Sequence, residues 1–382
     1  MTTYILDVET TIQKIGNDFS PSPFNGAKIV CLGVKPLSKP PHIFYPPVTQ
    51  FQSSHPACLL VGHNIKFDLL HLKNQGWKNN KALVWDTQLA EYLLSGQQVR
   101  TSSLDNLCVK YHLPSKDPQV TEYFDKGLGA DHVPRALLEE YLKHDLEVTE
   151  AIYLRQLEQG TLLGMLPLIH SQMDALLALV DIEYNGMTVD RKALEDYNEE
   201  LSQERITVES LLFETIANTP GFRSGNVVLN LNSRQQIATF LYGGTFSYTT
   251  TEVVTTEEGK IVEYKTGPRK GTPKTKKVEH TEKWPGGLPE KYKKNILYTP
   301  SGEIKMDEDT LSKLEEIPFV AKLLKYYSLN KDISTYSGPY MKYVNNSMDG
   351  KIHPQYNQSV TVTGRLSCSQ PNLQNVSNVD EH

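Results

Sequence analysis

The 382-residue chain reads as an α/β domain followed by a mainly helical region. Three observations predict this. Short apolar runs bounded by turn residues come first, as buried strands do. Helical stretches then alternate with them, the pattern of a sheet flanked by helices. From about Leu163 long helical periods take over, with capping residues at their ends.

The first expected strand is Tyr4-Ile-Leu-Asp-Val8, an apolar run with one acid inside it. Lys28 to Val34 reads as its sheet neighbour and Cys58 to Gly62 as a third strand. Helices are expected over Lys66–Asn74, Asp86–Leu94, Leu104–Tyr111 and Pro134–Glu158. His170–Tyr184 is the next, with Gly186 placed as a C-terminal glycine. Asp190 is placed as the N-cap of a helix over Arg191–Thr215, and Ser233-Arg-Gln-Gln236 has the form of a capping box. Phe246 to Asn295 breaks the helical pattern and reads as an exposed, partly mobile insertion. Within it, Val253-Val and Ile261 to Tyr264 flank Glu257-Glu-Gly-Lys260 as a hairpin would. Helical signals return at Glu308–Glu316 and Phe319–Ser328.

No apolar run approaches the roughly 18 residues of a membrane span, and the N-terminus lacks the charged and apolar regions of a signal peptide. Cys31, Cys58, Cys108 and Cys368 are scattered, so free thiols are expected rather than a zinc site. The net charge is −6, yet Lys265 to Lys277 holds six basic residues and no acidic one. A local basic stripe matters more to phosphate binding than the whole-chain sum.

Three elements each offer a pair of polar groups. Asp7 and Glu9 are two apart on a strand and share a face. Asn64 and Asp68, and Tyr141 and Asp145, are four apart on helices and share faces one turn apart. Taken singly, these read as a solvated strand edge, a helix cap and an exposed acid. Taken together, they place four carboxylates that would resist ionisation unless cations held them. Oxygen-only ligands suit Mg²⁺ or Mn²⁺.

Asp7-Val-Glu9-Thr10, Asn64-Ile-Lys-Phe67-Asp68 and Tyr141-Leu-Lys-His-Asp145 resemble the three motifs of the proofreading 3′–5′ exonucleases, in the branch that uses a tyrosine. Asp86 to Leu94 also resembles a helix of that family. The resemblance implies an RNase H-like α/β fold, a mixed sheet with flanking helices. It implies two-metal hydrolysis of a 3′-terminal phosphodiester. Asp7, Glu9 and Asp145 would hold one metal, and Asp7 and Asp68 the other. Tyr141 would orient the attacking water, and Thr10, Asn64 and Phe67 would meet the substrate.

The remainder resembles the family A DNA polymerases. Asp181 to Asp190 is similar to their entry into the thumb, and Lys331-Asp-Ile-Ser-Thr335-Tyr336 to a primer-template contact motif. His353 to Gln358, Thr363-Gly-Arg365 and Pro371-Asn372-Leu-Gln374-Asn375 are similar to the start of their palm. The implied domains are 1–162 exonuclease, 163–340 thumb-like and 341–382 an incomplete palm. Lys331, Thr335, Tyr336, Arg365, Asn372, Gln374 and Asn375 would contact DNA. The family's polymerase carboxylates lie beyond Asn375, so a divided or truncated, phage-like polymerase is expected, completed by a second polypeptide. A processivity factor is a further expected partner, docking on the insertion. In isolation, residues Gly350 to His382 are expected to be poorly ordered. The expected location is the cytoplasm, at replicating DNA. Two other readings remain open: a non-catalytic primer-template-binding subunit, and an RNA-trimming exonuclease on the same fold.

Overall fold

Apolar residues on both faces bury β1 (Thr2–Thr10) inside a five-stranded sheet. A strand covered on both sides reads as a continuous apolar run, and Ile5, Leu6 and Val8 are all buried. The hairpin β2 (Gln13–Ile15) and β3 (Asp18–Ser20) follows. Next come β4 (Ile29–Pro36), β5 (His42–Phe44), β6 (Cys58–Gly62), α1 (Ile65–Asn74), β7 (Leu83–Asp86) and α2 (Thr87–Leu94). The sheet order is β5-β4-β1-β6-β7. β1 pairs antiparallel with β4 and parallel with β6, and β6 pairs parallel with β7. Parallel neighbours need a crossover, and α1 supplies the one between β6 and β7. α3 (Leu104–Lys110), α4 (Pro118–Asp125), α5 (Arg135–Leu162) and α6 (Leu166–Asn185) complete the flanks. α5 packs on β1 and β4, and α6 on α1 and β7. This is the mixed sheet with flanking helices that the sequence predicts.

The computed structural model describes residues 1–48, 58–78, 82–114, 118–220, 222, 229–256, 259–266, 269–293 and 296–376. The chain forms two compact units, Met1–Leu194 with Gly338–His382, and Glu195–Ser337. These boundaries differ from the expected divisions at 162 and 340. α6 belongs with the sheet because Met173 and Leu176 enter the same core as Trp85 and Leu69.

Gly186 closes α6 at φ 63°, and Asp190 Oδ1 accepts the Ala193 N–H at 3.0 Å to open α7 (Arg191–Ala217). Both are as expected. The second unit holds most of α7, then α8 (Arg234–Tyr242), β8 (Gly244–Val253), β9 (Thr275–Trp284), α9 (Glu290–Lys293), α10 (Glu308–Ser312) and α11 (Pro318–Asp332). Its core gathers Phe240, Trp284, Phe319 and Leu323. The capping box before α8 is only half formed. Ser233 Oγ accepts the Gln236 N–H at 3.4 Å, but the Gln236 side chain accepts from Asn230 instead of Ser233. The expected hairpin in the insertion is present as a Thr255–Ile261 bridge, and Glu257 and Glu258 lie outside the described residues.

α12 (Gly338–Asn346), β10 (Gln355–Asn357) and β11 (Ser367–Ser369) return to the first unit. Ile352 is fully buried and bridges Met187, and the Thr101 amide donates to Ser359 O at 3.3 Å. Residues 350–376 thus pack against the sheet unit instead of standing apart, while 377–382 lie outside the described residues. All four cysteines are buried free thiols. Among the described residues no helix is long and apolar enough to cross a membrane.

Candidate active site

β1 sets the floor of the site. In its register with β4, Asp7 lies opposite Gly33 and Glu9 opposite Cys31, and a bulge follows between Glu9 and Thr10. Such irregularities re-aim side chains at strand ends. Gly33 is there for space. A Cβ on it would come within 2.7 Å of Leu146 Cδ1 and 2.9 Å of Leu142 Cγ. Only glycine lets α5 settle this closely on β4 beside Asp7. Tyr141 and Asp145 lie on the same stretch of α5, both buried.

The second wall is the turn from β6 into α1. Asn64 adopts the left-handed conformation (φ 54°, ψ 44°) at the N-cap position, and its side chain caps nothing. Its backbone N–H donates to Asp86 Oδ1 at 3.0 Å. One turn later Asp68, 2% exposed, accepts the Val8 N–H at 2.8 Å. That bond enters β1 between Asp7 and Glu9. Burial pushes the Asp68 carboxyl well above the usual carboxylate range; the Asp7 charge and a hydrogen bond with the Asp7 carboxyl push it the same way, while the Val8 N–H opposes them. Like charges this close are costly to keep ionised together. The negative field reaches Cys31 too: burial, then the Glu9 and Asp7 charges, push its thiol up to about 12.

On α5, the Tyr141 ring meets Phe124 edge-on at 6.1 Å, and Asp145 Oδ1 lies 3.5 Å from His144 Nδ1. Asp7 and Asp68 are therefore brought together directly, Glu9 lies two residues from Asp7 on β1, and Tyr141 and Asp145 lie on α5, which packs on β1 and β4. Among the described residues no three His, Cys, Asp or Glu side chains gather closely enough to form a metal cluster. Thr10 is buried at the strand end, and Phe67 packs against His71 at 4.7 Å between ring centres.

The expected DNA contacts are divided between the units. Arg365, Asn372, Gln374 and Asn375 are exposed in the first unit, where Asn372 Oδ1 accepts the Gln374 N–H at 3.0 Å. Lys331 and Thr335 are exposed and Tyr336 half-buried in the second, at the end of α11 and the π-helical turn after it.

Two site-building residues escaped the sequence reading. The sequence pattern places Asp86 as the first residue of a helix, but it ends β7 and caps α2. Its Oδ1 accepts the N–H groups of Gln88 at 2.8 Å and Leu89 at 3.3 Å besides that of Asn64. Burial pushes it up to about 6 in spite of those donors. An aspartate at the junction of an apolar run and a helix was the available signal. Gly33 carried no local signal.

Comparison with known proteins agrees with this architecture. Residues 52–155 match the 3′–5′ exonuclease family, and residues 279–382 match DNA polymerase family A. DNA polymerase I of Synechocystis sp. is 27% identical over 326 residues, covering 83% of this chain and 27% of that protein. DNA polymerase I of Pseudomonas aeruginosa is 26% identical over 330 residues, covering 84% and 30%. The thermostable DNA polymerase I of Thermus aquaticus is 45% identical, but over 62 residues, 16% of this chain and 7% of its own. The chain thus spans less than a third of the length of these curated relatives. Among solved structures, the POL domain of Pol1 from M. smegmatis, in complex with DNA primer-template and dNTP, has a TM-score of 0.64 at 18% identity. The match covers 99% of this chain and 53% of that one, and shows the shared fold. By these matches the chain is similar to DNA polymerase I, with a match to the 3′–5′ exonuclease family over residues 52–155 and to part of DNA polymerase family A over residues 279–382.

Proposed function

We propose that this chain hydrolyses the 3′-terminal phosphodiester of DNA in a divalent-metal-dependent reaction that releases nucleoside monophosphates. The observation that carries the reading is the Asp7–Asp68 pair, in which one carboxyl is fully buried against the other and tied to the backbone of β1. The residues fit a cation. A buried carboxyl raised by a neighbouring negative charge is relieved by a positive one, and the donors here are all oxygens. The resemblance to the proofreading exonucleases implies Asp7, Glu9 and Asp145 for one ion and Asp7 and Asp68 for a second; of these, Asp7 and Asp68 are in direct contact. The chemistry such ions supply when bound is a more acidic water and a neutralised leaving oxygen.

The chain's own residues do the positioning. Val8 and Gly33 fix β1 against α1 and α5, so the carboxylates keep their places while substrate enters. Tyr141, anchored by Phe124, orients the attacking water through its hydroxyl; a phenol near pKa 10 is poorly matched to serve as the base at neutral pH. Asn64, exposed at the mouth of α1, and Phe67 meet the terminal nucleotide.

Matched DNA and RNA oligonucleotides, each with Mg²⁺ and with a chelator, test this reading. Shortening of DNA that stops on chelation supports it. Preferential shortening of RNA replaces it with the RNA-trimming reading.

A further inference from the structure

The insertion in the second unit is a built arm. β8 and β9 pair over ten positions, from Gly244 opposite Trp284 to Val253 opposite Thr275. At about 3.4 Å per residue, ten positions make an arm of about 34 Å. Its base is fixed: Trp284 is buried in the unit's core and donates its indole N–H to Phe240 O at 2.8 Å. Its far end is ordered by further backbone bonds. The Val262 N–H donates to Val254 O at 2.8 Å, the Lys274 N–H to Val262 O at 2.7 Å and the Tyr264 N–H to Thr272 O at 3.0 Å.

The far part of this arm is net basic: residues 254–277 carry Lys260, Lys265, Arg269, Lys270, Lys274, Lys276 and Lys277 against Glu257, Glu258 and Glu263, in a chain whose net charge is −6. Lys265, Arg269, Lys270, Lys274 and Lys277 are exposed, and among the described residues no carboxylate pairs with them. Lys276 lies 4.0 Å from Glu252. Five exposed like charges on the far part of one ribbon repel one another, and a polyanion removes that cost. A two-stranded ribbon also has the width that a DNA major groove, about 12 Å across, admits.

We propose that this ribbon is a duplex-DNA arm, with Lys265, Arg269, Lys270, Lys274 and Lys277 binding backbone phosphates. The inference does not depend on the exonuclease reading.

The test uses the full chain and a fluorescein-labelled 24-base-pair blunt duplex, with anisotropy titrations from 50 to 200 mM KCl. Two variants are compared with wild type. One replaces all five cations by Gln. The other removes residues 254–274 and joins Val253 to Thr275 through an Asn-Gly turn, which suits a two-residue hairpin. Both retain the Trp284 anchor, and thermal melts show that the chain remains folded. At about 0.9 in slope per phosphate neutralised, loss of three or more contacts flattens the plot of log affinity against log salt by about 3 and weakens binding at least tenfold. Slopes within 1 of wild type and affinities within twofold of it in both variants overturn the proposal, and are the result expected if the arm serves an acidic protein. If the Gln variant melts early, the shortened variant decides between the two.

Discussion

The Val8 amide donates a 2.8 Å hydrogen bond to Asp68 Oδ1, so the strand that carries Asp7 and Glu9 is joined to helix α1 inside the candidate site. This bond ties a structural requirement to a chemical one, and the two separate by substitution. Asp68→Ala leaves a buried N–H without an acceptor, a loss of about 1–3 kcal/mol. Asp68→Asn keeps an oxygen there. Both variants are expected to lose cleavage, but only the alanine variant should unfold earlier in urea at pH 7.

The same carboxyl makes a pH prediction. Its folded-state pKa is raised above the unfolded value, first by burial and then by Asp7. The folded chain therefore holds this proton more tightly than the unfolded chain does. The stability it contributes is present at low pH and is lost as pH rises. Melts with chelator present should show wild type losing stability relative to Asp68→Asn as pH increases from 4.

Asp86 is the pivot of the loop before α1. It holds the left-handed Asn64 by its backbone N–H and caps α2 with the same oxygen. Asp86→Ala removes both functions and should cost about 1–2 kcal/mol for the cap alone. Asp86→Asn should retain most of that. Burial raises the Asp86 carboxyl to about 6, so the folded chain holds this proton while the unfolded chain releases it, and stability is lost between about pH 4 and 6. The asparagine variant should flatten the stability profile in that window.

Gly33 is a steric hinge between Asp7 and α5. Gly33→Ala forces a Cβ to 2.7 Å from Leu146. Overpacking of this kind costs about 1–3 kcal/mol. It should also lift α5 from the sheet, so cleavage should fall more than stability does. Chemical denaturation and initial rates on one preparation measure both.

Glu183 anchors the returning segment to α1. It is 1% exposed, pairs with Lys66 and accepts the Tyr356 N–H at 2.7 Å. Lys66→Met leaves that carboxylate buried without its cation, which should cost about 3–5 kcal/mol. The double variant with Glu183→Gln should recover much of the loss.

The elements that proved legible in the sequence were those with a short-range signal. Asp7 with Glu9, Asn64 with Asp68 and Tyr141 with Asp145 stood out because strand and helix periods are local. The apolar runs of β1, β4 and β6 were visible for the same reason. What the sequence hid depends on pairing between distant segments. Gly33 matters only once β4 lies against β1 with Asp7 opposite it. The place of Asp86 depends on β7 lying beside β6. The domain boundary moved because α6 and residues 338–376 are held by contacts such as Glu183 to Tyr356, more than 170 residues apart. Of the four carboxylates, Asp7 and Asp68 are in direct contact, while Asp145 lies on a different element beside His144.

The most direct test of the central claim follows a 5′-labelled single-stranded DNA oligonucleotide with Mg²⁺, using wild type and Asp7→Ala side by side. Wild type is expected to give a ladder of products shortened one nucleotide at a time, and Asp7→Ala, melting like wild type, to leave the oligonucleotide intact. An equal ladder from both proteins, or no shortening by wild type, would contradict it.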